Sequence, residues 1–213
     1  MRYYSIPIQK GLDGIEIGDG MQPPSNEREL IERAKNGDKE AVSALYESYA
    51  QAIFQYISYR VESDMIAEDL TADVFLRMVR GLPRYKYTGA PVGAWLYRVA
   101  ANRIADHYRK GRHETSAPIL DSYRSDTPEP FDEMARQEER THLREALQTL
   151  SEDYQNIIIL RFMKELPHAE VAEIMGKSEA AVRVLQHRGL KALADKLQNP
   201  PHSERKKRGN DND

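Results

Sequence analysis

Apolar residues along most of the chain recur at steps of three and four, the spacing of a helix with one inward stripe. Leu30, Ile31 and Ala34 begin the pattern after Glu27, and it breaks at Asn36-Gly37-Asp38. Ala41, Val42, Leu45, Tyr46, Tyr49, Ile53, Phe54 and Ile57 then mark a long helix. A third carries Ile66, Leu70, Val74, Phe75, Met78 and Leu82 and stops at Pro83, which cannot continue a hydrogen-bonded turn. The fourth is expected from about Val92 to Lys110, with Trp95, Leu96, Val99, Ala100, Ile104 and Tyr108 inward.

The stripe is missing from residues 113–136, where Pro, Ser and Asp dominate, so this stretch reads as a flexible linker. Helical spacing returns with Leu143, Ala146, Leu147 and Leu150, and again with Ile157 to Phe162 behind Ser151 as N-cap. Residues 1–26 hold scattered glycines and Pro23-Pro24 and read as a loose extension, with room for a short hairpin in DGIEIGDG; residues 198–213 read as a disordered polar tail. No strand-rich region or internal repeat appears. The expected class is all-α, with two small helical domains, 27–112 and 137–197, joined by the linker.

Residues 168–189, HAEVAEIMGKSEAAVRVLQHRG, fit a helix-turn-helix. Ala172 falls where two helix backbones meet, Gly176 takes a turn that is cheap only without a Cβ, and Ser178 caps the second helix. Glu179 suits the positive end of that helix. Val182, Leu185, Gly189 and Leu193 form its inward stripe; at roughly 100° per residue, Ala180, Val184 and His187 point outward, flanked by Arg183 and Arg188. Such a face fits a major groove, where Arg meets guanine edges or phosphates and Ala or Val meets a thymine methyl. Two features depart from expectation: Lys177 stands where an apolar residue is usual, and Gly189 interrupts a helix.

Charge is segregated rather than extreme. The 213 residues carry a net charge of −3, but residues 84–112 are strongly basic, with Arg98, Asn102 and Arg109 on one stripe and Asp106 expected to pair with a neighbouring cation. Tyr85 and Tyr87 flank Lys86, a combination suited to stacking on unpaired bases. Residues 62–73 hold Glu62, Asp64, Glu68, Asp69 and Asp73 with no Lys or Arg, an acidic docking face for a basic partner. Asp69 and Asp73 lack a third ligand at matched spacing, so no metal and no cofactor is expected. There is no cysteine, which removes disulfides and thiolate zinc sites and fits a reducing compartment. With no apolar run near membrane length and no signal-peptide layout, a cytoplasmic protein without membrane insertion is expected.

The ordered set ELIERAKNGDKEAVSALYESYA, AEDLTADVFLRM, LPRY, GAWLYRVAANRIADHYRK and LSEDYQNIIILRFMKELPHAEVAEIMGKSEAAVRVLQHRGLKAL resembles bacterial RNA polymerase sigma factors of the extracytoplasmic-function (ECF) group. The resemblance implies a region-2 domain at 27–112 and a region-4 domain at 137–197. It also implies that Glu68, Asp69, Leu70, Asp73 and Phe75 hold core polymerase. Tyr85, Lys86, Tyr87, Thr88, Arg98, Asn102, Arg103 and Arg109 would handle the minus-10 region, while Ser178, Glu179, Ala180, Arg183, Val184, His187 and Arg188 would read minus-35. The expected partners are core RNA polymerase, promoter DNA and an anti-sigma factor, with the chain a monomeric, non-catalytic subunit of the holoenzyme.

Two rival readings have distinct signatures. A stand-alone helix-turn-helix regulator would bind DNA tightly without polymerase; a metal-dependent nuclease built on Asp69, Asp73 and His107 would need a divalent cation. A pI near 6.1 argues for a carrier, since nonspecific DNA affinity comes from phosphate neutralisation. The promoter elements lie on the order of 60 to 80 Å apart at about 3.4 Å per base pair, whereas a relaxed linker of this length spans about 25 to 30 Å.

Overall fold

A computed structural model describes residues 23–87, 89–113 and 141–198. The N-terminal extension through residue 22 with its candidate hairpin, Thr88, nearly all of the linker and the tail beyond Gln198 lie outside the described residues. Among the described residues every regular element is helical. The first lobe comprises α1 (Glu27–Lys35), α2 (Lys39–Ser58), α3 (Asp64–Gly81), a single 3-10 turn Leu82–Arg84, and α4 (Val92–His113). The second comprises α5 (residues 141–148), α6 (Glu152–Ile158), α7 (His168–Met175) and α8 (Glu179–Gln198).

The boundaries follow local chemistry. Gly37 turns the chain between α1 and α2 at φ 86°, and Asp38 caps α2 by accepting from the Ala41 N–H at 3.1 Å. The Arg33 guanidinium, 2.7 Å from the same carboxylate, and then the Ala41 N–H hold the Asp38 carboxyl down at about 2. Ser63 caps α3 through the Ile66 N–H at 3.3 Å, and Pro83 sits within the tight turn that ends it. Ser151 precedes α6 at the cap position but makes no side-chain cap bond. Past Ile158 the helix widens into a π turn, Ile159–Met163, closed by Lys164 N–H to Ile159 C=O at 3.0 Å.

The core of the first lobe is the inward stripe read from the sequence: Ile31, Leu45, Tyr49, Ile53, Ile57, Val74, Met78, Leu96, Ala100 and Ile104 are all buried. Each large apolar side chain taken from water stabilises the fold by roughly 1.5–3 kcal/mol. The stripe on α2 is wider than its core, and Tyr46 remains 48% exposed. Trp95 lies against Gly81, where an added Cβ would come within 2.9 Å of the indole.

The two lobes touch: their buried apolar residues belong to one cluster, and a set of polar pairs crosses between them. Arg60, at the end of α2 and only 3% exposed, donates from Nη1 to the Tyr56 hydroxyl and to Asn156 Oδ1, both at 2.6 Å. Tyr56 donates to the same Asn156 oxygen at 2.5 Å, and Glu152 meets the other end of the guanidinium at 3.3 Å. Lys164, 2% exposed, donates to Gln55 Oε1. Arg144 pairs with Asp64 at 2.6 Å, Gln148 donates to the Val61 carbonyl at 2.9 Å, and Arg98 of α4 lies 3.8 Å from Glu173 of α7.

Candidate nucleic-acid interface

The helix-turn-helix forms as its residues require. Ala172 and Val171 are buried in α7, Gly176 adopts φ 62°, and the Lys177 N–H returns to the Ala172 carbonyl at 2.9 Å, a left-handed helix stop. Ser178 Oγ accepts from the Ala181 N–H at 3.2 Å. Val182, Gly189 and Leu193 are buried, with Leu185 partly so.

Both departures from expectation have structural reasons. Lys177 reaches Asp153 of α6 at 3.1 Å. A Cβ on Gly189 would lie 3.3 Å from Ile157 Cγ2 and 3.5 Å from Tyr154 Cδ1, so the glycine lets α8 seat directly on α6.

On the outer side of α8, Ser178, Glu179, Ala180, Arg183, Val184, His187 and Arg188 are all exposed. Among the described residues Arg183 pairs with Glu179 at 3.0 Å, both half-exposed, a link worth a few tenths of a kcal/mol. Arg188 has no ion-pair partner among the described residues. The face is apolar at Ala180 and Val184 and cationic at its flanks, a rigid surface able to enter a duplex groove.

The first lobe presents a more constrained surface. Tyr85 packs on Trp95 with ring centroids 5.0 Å apart, and burial raises its phenol above the usual range. Tyr87 is 37% exposed with the Arg28 guanidinium 6.0 Å over its ring, and Lys86 is exposed. On α4, Arg98, Asn102 and Arg109 face solvent together. Arg103 does not: it is 16% exposed, 2.5 Å from Asp73 and 2.6 Å from Asp106. Asp106 also pairs with Arg109, matching the pairing expected of it.

The acidic helix divides between two faces. Asp73 turns toward α4, held by Arg103 and, at 3.4 Å, by Arg77, while Asp69 is exposed. Leu70 and Phe75, 9% and 6% exposed, are core residues. Between α2 and α3 lies an open groove of about 840 Å³ lined by Glu68, Phe75 and Tyr46 together with Leu76 and Val79. Leu76 is 54% and Val79 47% exposed, and Tyr46 meets Phe75 edge-on at 4.8 Å. Tyr46, Leu76 and Val79 were not among the sequence-derived site residues. Their signal was a second apolar line through Ala72, Leu76 and Val79, beside the core stripe. His107 sits 3.6 Å from Glu62, and no group of three His, Asp or Glu side chains among the described residues is arranged to hold a metal ion.

Fold and surfaces together define a two-lobed, all-helical protein of the sigma type. Residues 45–114 match Sigma-70 region 2, and residues 140–193 match Sigma-70, region 4. The chain is 37% identical over 169 residues to the ECF RNA polymerase sigma factor BldN of Streptomyces coelicolor, a match spanning 78% of this chain and 64% of that one. It is 30% identical over 174 residues to the ECF RNA polymerase sigma factor SigD of Mycobacterium tuberculosis, spanning 79% of this chain and 82% of SigD. Its fold resembles that of CnrH, solved in complex with the cytosolic domain of CnrY, with a TM-score of 0.64 at 21% identity over 82% of this chain and 98% of that one. The chain belongs to the ECF RNA polymerase sigma factors.

Proposed function

We propose that the chain docks on core RNA polymerase through the α2–α3 groove, reads the minus-35 element as duplex with α8, and captures unpaired minus-10 bases with residues 85–91 and the outer stripe of α4. The observation that carries this reading is the bare outer face of α8, with Arg183, Val184, His187 and Arg188 free to enter a groove. It performs no nucleotide chemistry, which belongs to the polymerase. An anti-sigma factor competes for the same apolar groove, and the chain works in the cytoplasm; among the described residues no helix is long and apolar enough to cross a membrane.

The docked form differs from the closed one. The lobes touch through Arg98 and Glu173, yet the promoter elements stand on the order of 60 to 80 Å apart. The linker therefore extends on the polymerase, where a fully stretched chain of its length reaches about 80 Å.

Transcription reconstituted with core polymerase on a promoter library tests this. Arg183→Ala is expected to lose about tenfold in discrimination at one minus-35 position, the worth of a good arginine–guanine contact. Unchanged start-site choice removes Arg183 from the reading face, and tight DNA binding without polymerase favours a stand-alone regulator instead.

A further inference from the structure

The first lobe holds a buried carboxylate with no ion-pair partner among the described residues. Glu27, in the first turn of α1, is 6% exposed. Its Oε1 accepts from the Tyr49 hydroxyl and, at 3.0 Å, from the backbone N–H of Val92. Val92 is the first residue of α4, so Glu27 supplies from a distant element what a local cap would supply. One of the unpaired donors at the start of α4 is thus met by a Glu–Tyr pair on α1 and α2. The positive end of α4 offsets the buried negative charge.

This anchor sits where the chain between α3 and α4 ends. That segment begins at the 3-10 turn, where the Tyr85 N–H returns to the Leu82 carbonyl at 3.0 Å and the Tyr85 ring rests on Trp95. It ends at Pro91, whose carbonyl accepts from Ala94 N–H at 3.0 Å, immediately before the Val92 N–H that Glu27 holds. Arg28, next to Glu27, lies over the Tyr87 ring in the middle. The first turn of α1 therefore touches the segment at its centre and fixes its exit, while Trp95 fixes its entry.

A leucine at 27 would fill the same space but leave the Val92 N–H buried without a partner, and an unmet buried donor is costly. A carboxylate adds direction: it accepts from one chosen N–H and so sets the register of α4 against α1. We propose that Glu27, through Tyr49 and Val92, is a positioning residue that holds residues 85–87 and 89–91 in the conformation that captures unpaired minus-10 bases. This rests on the base-capture role proposed above for Tyr85, Lys86 and Tyr87. Burial, and then Glu27 itself, push the Tyr49 phenol upward, keeping it a hydrogen-bond donor throughout the working range.

The test uses the full chain assembled with core polymerase. The probe is the non-template strand of a promoter selected by the wild-type holoenzyme, labelled with 2-aminopurine in its minus-10 element and compared with the same strand carrying a substituted minus-10 base. Glu27→Ala is expected to reduce discrimination between the two strands about tenfold, while duplex minus-35 binding and polymerase capture stay within twofold of wild type. Glu27→Gln, which keeps an oxygen for the Val92 N–H and the Tyr49 hydroxyl, is expected to recover most of the loss. A purely structural role would lower all three readouts together and would not be rescued selectively. Discrimination retained within twofold in a folded Glu27→Ala overturns the proposal. Should that variant fail to fold, Tyr49→Phe removes only the hydroxyl, and its loss or retention of discrimination decides in the same way. Tyr87→Ala separates the two levels: if it leaves discrimination intact, the base-capture reading and this inference fall together. If it lowers discrimination and the Glu27 variant does not, only the positioning role falls.

Discussion

The contact between the lobes and the groove between α2 and α3 reverse the usual distribution of side chains. The first buries an arginine, a lysine, a tyrosine hydroxyl and an asparagine; the second leaves Tyr46, Leu76 and Val79 in water. Burying polar groups gains little, because each must recover in hydrogen bonds what it loses in hydration. Exposed apolar groups gain nothing until something covers them. The polar part of the lobe contact can thus return to water cheaply: Arg60, Lys164, Gln55 and Asn156 all hydrate well once parted. The Tyr97 hydroxyl, buried near Glu170 and without a hydrogen-bond partner among the described residues, would gain one. The groove has the opposite economy and closes only on a partner. A chain that must separate its lobes while fastening one of them to a larger enzyme needs both.

The largest effect expected from this contrast is at the groove. Leu76→Asp places a charge in the middle of the apolar wall and is expected to weaken binding to core polymerase by at least about thirtyfold, the scale of an interface hot spot. Folding stability should change by no more than about 0.5 kcal/mol, because the side chain is already half in water. Affinity measured by fluorescence anisotropy beside a urea melt separates the two. The contrast fails if binding is unchanged. Leu70 and Phe75 are poorer tests, since their burial would confuse docking with folding.

Next is the lobe contact. Arg60→Ala removes two buried hydrogen bonds and leaves a void, and is expected to cost about 2–3 kcal/mol in denaturant unfolding. Glu152→Ala, at the half-exposed end of the same ion pair, should cost under about 1 kcal/mol. Equal losses would mean that the pair acts as a unit rather than as one buried group with a solvated companion.

A smaller, pH-dependent effect belongs to Lys164, whose ammonium burial pulls down to about 8 from an ordinary 10.5. The folded state gives up this proton more readily than the unfolded chain. Stability from this group therefore rises with pH between about 8 and 10.5, and the penalty for holding the charge is present in full below 8. Lys164→Met is expected to be more stable than wild type at pH 7, with the difference shrinking toward pH 10. Taking the difference cancels the tyrosines, whose raised values act in the opposite direction at high pH. A constant difference across that range would show that Lys164 holds its proton as tightly in the folded protein as in the unfolded chain, and is therefore well hydrated there.

Helix positions, the Gly37 and Gly176 turns, the Ser178 cap and the outer face of α8 were legible because each depends on residues within one or two turns. What escaped depended on which distant segment covers a given face. Periodicity marks Leu70 and Phe75 as apolar but does not say that they face the core while Leu76 and Val79 stay open. It places Arg103 and Asp73 in a basic and an acidic segment, and only the packing of α4 on α3 brings them together. Glu27 looks like an ordinary first-turn acid until α4 is seen to start against it.

Gly189 is the smallest test and the one most dependent on packing. Alanine in a helix is favoured over glycine by up to about 1 kcal/mol, so on local grounds Gly189→Ala should stabilise the second lobe. Its new methyl would sit 3.3 Å from Ile157 Cγ2, closer than comfortable, and Ile157 is fully buried with little freedom to withdraw. The two effects are of similar size and opposite sign, and the expected change in unfolding free energy is within about 0.5 kcal/mol of zero. Gly189→Leu adds volume without further helix preference and should destabilise by about 1–3 kcal/mol. If alanine instead gave the full helical gain, α6 and α8 would have to be more loosely joined than the lobe contact, and the second lobe would lose its claim to be a rigid reading head.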